Sequence, residues 1–102
     1  MAEINWTAEA DLWLRDIFDY IATDNPAAAA GVITGIQNKA AILREFPESG
    51  HLYRSLPEGE VRTLLYGHYR IAYLLKPTKN IDILGVFHGA MEIDRYLRMP
   101  PS

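Results

Sequence analysis

Two arginines, three tyrosines and two histidines lie among β-forming residues in "EVRTLLYGHYRIAYLL" (60–75) and "NIDILGVFHGA" (80–90). An arginine pair can grip a phosphate, and a nearby histidine can move a proton close to neutral pH. The same residues would equally suit a platform for a protein partner, or a sheet that merely carries polar edges. Turn length discriminates between these readings. A two-residue turn at Gly67-His68, with Gly67 where a type II′ turn demands it, sets Tyr66 opposite Tyr69, Leu65 opposite Arg70 and Arg62 opposite Tyr73. Successive side chains alternate between faces, so Arg62 and Arg70 then point to opposite sides and cannot hold one phosphate. A three- or five-residue turn would shift the register by one and bring them together. Stacking on Tyr73, or pairing with a helix carboxylate, would occupy Arg62 as well as a partner would. For His88 a backbone hydrogen bond at a strand end is the plainer role.

Other chemistries find little support. His51, His68 and His88 have no ligand-like spacing, and the chain has no cysteine, so neither a metal site nor a disulfide is expected. Ser49 and Ser55 lack the strand-turn-helix setting of a nucleophilic serine. No cofactor is implied. The net charge is −3, split as −5 over residues 1–48 and +2 over 49–102. Tight autonomous nucleic-acid binding needs a clear basic excess, which is missing. No run reaches the roughly 20 apolar residues of a membrane span, and "MAEINW" is unlike a signal peptide. A cytoplasmic protein is expected, with no membrane association.

The elements that must position these residues follow from periodicity. "EINW" is a short β-like stretch. Thr7 is a good N-cap, with Glu9 and Asp11 in the first turn, and Ala10, Trp13, Leu14, Ile17 and Ile21 repeat at helical spacing to about Thr23. Asn25 and Pro26 open a second helix, whose stripe of Ala29, Val32, Ile33, Ile36, Ala40 and Leu43 runs on towards Phe46. Ala27, Gly31 and Gly35 lie four apart and would allow close packing. Residues 51–59 read as a connecting loop with some extended character. Strands follow at about 60–66, 69–76 and 81–87, and "MEIDRYL" suits a short helix before a frayed 98–102. The expectation is one domain over 1–102, in the order β-α-α-β-β-β. It is an α+β fold of two layers, an antiparallel sheet covered on one face by an N-terminal helical hairpin.

The run "AEADLWLRDIFDYIATDNPAAAA", then "LREFPESG", "VRTLLYGHYRIAYLL" and "IDILGVFHGA", resembles the ParE/RelE superfamily of toxins from bacterial type II toxin–antitoxin systems. The likeness spans about residues 3–90 and keeps the order of every element. It implies a growth-arresting, plasmid-stabilising type of protein made beside an antitoxin that wraps it. ParE-like members bind DNA gyrase and trap its cleaved-DNA intermediate without catalysis of their own. RelE-like members enter the ribosome and cut mRNA as metal-independent endoribonucleases. "DYIATDNPAAA" and "FHGAMEIDRYL" look more ParE-like. A relative that binds antitoxin but has lost toxicity is the third reading.

The resemblance also assigns residues. In a ribonuclease, Arg62, Arg70, His88 and Tyr96 would stabilise the phosphate and move protons. Gly89 stands where such enzymes carry arginine, Tyr96 is spaced awkwardly from His88, and in the loop ahead of Arg62, where they carry lysines, only Arg54 is basic. The first choice is therefore a gyrase binder, with no firm catalytic residue. Arg62, Arg70, His88 and Arg95 are candidate partner contacts, and replacing Arg62 by Ala is expected to weaken toxicity and leave the fold intact. A two-layer fold also leaves one sheet face open. Leu65, Ala72, Leu74, Leu84 and Val86 are expected to form an apolar stripe there for an antitoxin segment.

Overall fold

The computed structural model describes residues 2–89 and the short helix 93–96. The expected fraying of 98–102 lies outside the described residues. Strand β1 (Ile4–Trp6) leads into helix α1 (Ala8–Ala22), which a tight link joins to α2 (Pro26–Ala41). A 3-10 turn at Ile42–Arg44 follows, then β2 (His51–Leu56), β3 (Gly59–Tyr66), β4 (Tyr69–Leu75), β5 (Ile81–His88) and α3 (Ile93–Tyr96). The strands form one sheet in the order β1-β5-β4-β3-β2, and the helical hairpin covers one of its faces. The two-layer α+β architecture is the expected one.

Two details of the sheet differ from the expectation. Residues 51–56 are a strand rather than a loop, paired antiparallel to β3. It is an edge strand with five of its six residues exposed, so it lacks the apolar alternation that marks a half-buried strand. The sheet is also mixed, because β1 runs parallel to β5, Ile4 beside Ile81 and Trp6 beside Ile83.

Side-chain capping fixes where the helices begin. Thr7 accepts a hydrogen bond from the Ala10 amide (3.1 Å) and donates its hydroxyl proton to the Ile83 carbonyl (2.7 Å). One hydroxyl thus starts α1 and ties it to β5. Asn25 caps α2 through the Ala28 amide (3.1 Å), ahead of Pro26. The expected stripes point inward. Ala10, Leu14, Ile36, Ala40 and Leu43 are buried against Leu64, Ile71, Tyr73, Leu75, Ile81 and Ile83. The small residues of α2 do not form one contact line. Nothing lies within 4 Å of a Cβ placed on Gly31, whereas Gly35 is met by the Tyr66 ring.

The β3–β4 turn has two residues, Gly67 (φ +56°) and His68, and the register is Arg62 with Tyr73, Leu65 with Arg70 and Tyr66 with Tyr69. Between β4 and β5 the pairing jumps from Ala72–Gly85 to Tyr73–Ile83, leaving Leu84 as the extra residue of a β-bulge. That extra residue flips the alternation beyond it.

The bulge and the C-terminal helix overturn the expected open stripe. Of Leu65, Ala72, Leu74, Leu84 and Val86, only Leu65 is exposed, at 55%. Val86 is turned to the helix side and joins the main core. Leu74 and Leu84 pack with Val61 in a second cluster flanked by Leu56. Ala72 lies with Phe87 under Ile93 of α3. The second face of the sheet therefore has cores of its own.

Two glycines test this backbone. Gly59 sits at φ +148°, and a Cβ there would collide with the Leu75 carbonyl. We expect Gly59→Ala to lower unfolding stability by about 2–3 kcal/mol, through both left-handed strain and the clash. Gly31→Ala, at an open helical position, should raise it by about 0.5–1 kcal/mol. Urea unfolding of the two variants reads both signs.

Candidate functional site

The described candidate residues are scattered over the fold and form no single site. Arg62 stands on the helix-side face of β3, directly opposite Tyr73. Its guanidinium pairs with Glu60 (Nη2 to Oε1 2.9 Å) and donates to the carbonyls of Glu48 (3.2 Å) and Gly50 (2.8 Å). The Tyr73 hydroxyl joins the same loop, donating to the Pro47 carbonyl (2.7 Å) and accepting from the Gly50 amide (3.0 Å). Together the two side chains clamp residues 47–50, the passage from the helices to the sheet. Gly50 is required there, since a Cβ would meet the Thr63 carbonyl and the Tyr73 ring at 2.8 Å. Burial pushes the Tyr73 hydroxyl above its usual pKa, opposed by the Gly50 amide and by Arg62, which favour the phenolate. Arg62 is thus engaged in holding the fold at residues 47–50, so its loss is expected to cost stability as well as a candidate contact.

Arg70 faces the other side of the sheet, paired with Leu65 and Phe87. Its Nη2 donates to the Gly89 carbonyl (3.3 Å), and the Gly89 amide donates to the His68 carbonyl (2.7 Å). His88 sits opposite Tyr69 at the end of β5. The His68 ring stacks near it, centroids 6.3 Å apart and 18° between planes, and Tyr69 meets it edge-on at 6.0 Å. Arg95 is exposed on α3, and the Tyr96 side chain lies outside the described residues. The two-residue turn therefore separates Arg62 from Arg70, as the sequence argument required. The remaining apolar candidates, Leu74, Leu84 and Val86, are buried and offer no contact surface without rearrangement.

The sequence reading missed a groove along α1. Trp13, Asp16, Ile17 and Tyr20 form one wall; Tyr69, Val86 and His88 form the other, around about 350 Å³. Trp13 is anchored by an edge-on contact with Phe87, centroids 4.6 Å apart. Trp13 and Ile17 belong to the helical stripe and read as ordinary core. The signal that pointed here was Tyr20, a large side chain outside that stripe, which is 82% exposed.

Residues 4–93 match the family model described as the ParE toxin of the type II toxin–antitoxin system parDE. A protein named "Putative toxin Y4kP" from Sinorhizobium fredii is 35% identical over 86 residues, covering 84% of this chain and 86% of its own length. Two solved structures share the fold. A chromosomal ParDE toxin–antitoxin system from P. aeruginosa aligns at TM-score 0.70 and 24% identity, over 86% of this chain and 96% of that one. The toxin–antitoxin complex RelBE2 from Mycobacterium tuberculosis aligns at TM-score 0.56 and 22% identity, over 85% and 96%.

The clamp yields two expected outcomes. Arg62→Ala should cost about 2 kcal/mol of stability, because it leaves two carbonyls without their charged donor. Tyr73→Phe should cost about 1–2 kcal/mol by stranding the Gly50 amide. The raised Tyr73 pKa also fixes a pH window. Its contribution is fully present below the unfolded value of 10.0 and is lost as pH rises through the higher folded value. Unfolding followed from pH 8 to about 11 should show stability falling above pH 10, with a smaller fall in Tyr73→Phe.

Proposed function

This chain belongs to the ParE toxin family of type II toxin–antitoxin systems, and from that premise we propose that it arrests growth by binding DNA gyrase in the cytoplasm. It holds the enzyme at its cleaved-DNA stage, and a cognate antitoxin neutralises it by covering the surface that gyrase would meet. One observation carries the choice of binding over RNA cleavage. Arg62 and Arg70 lie on opposite faces, and the Arg62 guanidinium is already committed to Glu60 and two loop carbonyls.

Cleaving RNA without a metal requires cations converging on one pentavalent phosphate, a base for the 2′-hydroxyl and an acid for the leaving 5′-oxygen. The described residues supply His88 near the sheet end, but Gly89 follows it and contributes only its backbone. Gathering a second arginine there would require breaking the clamp at residues 47–50. A protein that works by binding needs no such convergence. Its rigid sheet and helical hairpin serve instead to present fixed surfaces.

The test adds purified, antitoxin-free protein to gyrase, ATP and supercoiled plasmid, then traps cleavage complexes with detergent and protease. Linear DNA that depends on gyrase is the expected result. Folded protein that produces none, yet cuts mRNA on translating ribosomes, would replace this reading with the ribonuclease one. Inactivity in both assays, with antitoxin binding retained, would mark a non-toxic relative.

A further inference from the structure

The groove along α1 has a chemical character that neither the core nor the clamp explains. Its walls are aromatic and aliphatic, and Asp16 is the one carboxylate among its lining residues. Among the described residues none forms an ion pair or hydrogen bond with the Asp16 side chain. The surrounding charge has the same sign. Asp11, Asp16 and Asp19 are exposed on α1 against the single base Arg15. Leu12, Asp16 and Tyr20, spaced four apart, form an exposed ridge beside the groove, with Leu12 at 56% and Tyr20 at 82% exposure.

We propose that this groove seats an arginine or lysine side chain carried by an amphipathic segment of the antitoxin. The partner's identity rests on the family reading above; the chemistry of its contact rests on the groove. A carboxylate beside Trp13, Tyr20 and Tyr69 offers a cation both an ion pair and aromatic faces. The apolar wall of Ile17 and Val86 takes the methylene stem, together with a neighbouring aliphatic side chain of the same segment. Charge also decides among other occupants. Nucleic acid would be repelled by α1, and so would the same acidic helix of a second copy. Cation capture here gives the antitoxin its orientation along α1, because Asp16 is the one acidic point in a mostly apolar trough whose far wall ends at the His88 imidazole.

The test uses the antitoxin encoded beside this protein, with both partners purified and affinity measured by calorimetry. Asp16→Arg should weaken binding at least about tenfold, since a like charge then meets the incoming cation. Asp11→Arg makes the same charge change on the same helix outside the groove, and should weaken it far less. Replacing the responsible antitoxin arginine or lysine with Glu should restore affinity to Asp16→Arg. Circular dichroism and thermal unfolding establish that both variants are folded. Tyr20→Ala, which leaves every charge in place, should also weaken the complex. The proposal is overturned if Asp16→Arg binds as the parent does, or loses no more than Asp11→Arg. It is overturned equally if no antitoxin cation restores binding. A parent protein that binds no antitoxin would remove the partner reading itself, an outcome distinct from either.

Discussion

The two-residue turn at Gly67-His68 is the constraint on which the rest of the molecule depends. Its length sets Arg62 opposite Tyr73 on the helix side of the sheet and Arg70 opposite Leu65 on the other. Because strand side chains alternate, a single inserted residue would exchange those faces. Tyr73 would then leave the core, and its hydroxyl could not reach Pro47 and Gly50. The passage from helices to sheet is therefore held by a register decided at the far end of the hairpin. Gly67 makes this possible by accepting a positive φ at a position where most side chains would be strained.

Where periodicity was strong, the sequence was readable. Ala10, Leu14, Ile36, Ala40 and Leu43 point inward because their helical spacing leaves them no other common face. Thr7 and Asn25 announced their helix starts by residue type alone, although that the Thr7 hydroxyl also binds Ile83 could not be inferred locally. The edge strand at 51–56 was obscured because it buries almost nothing, and burial is what imposes alternation. The bulge at Leu84 was invisible for a different reason. From Ile83 to Phe87 β5 carries no polar side chain on either face, so one residue more or less leaves the pattern unchanged while reversing the direction of Val86.

The candidate site was legible only as far as register allowed. Separating Arg62 from Arg70 needed nothing beyond turn length and alternation. The supposed apolar stripe failed because the bulge turns Val86 to the helix side, Leu74 and Leu84 pack with Val61 and Leu56, and α3 returns Ile93 to Ala72 and Phe87, none of which a local pattern encodes. The groove along α1 required two distant pieces, a helix face and the β4–β5 end, to be brought together. Trp13 belongs to both environments, touching Phe87 and lining the groove, so its sequence position revealed only the first.

These features divide the labour between the two layers. The clamp and the sheet cores absorb the arginine and most of the large apolar residues that a sequence reader would assign to function. Among the surfaces that stay accessible are the acidic outer side of α1 with its aromatic trough, which His88 helps to line, and the hairpin tip with Arg70 and His68. One surface is negative with apolar anchoring; the other carries hydrogen-bonding groups organised around the Gly89 backbone. On the function proposed above, antitoxin and target would meet two such unlike surfaces, or compete for one. Because α1 is fixed to β5 through Thr7 and Ile83, both surfaces belong to one rigid frame, and occupancy of either presents the other in a defined orientation. Binding energy is then spent on recognition rather than on ordering this chain.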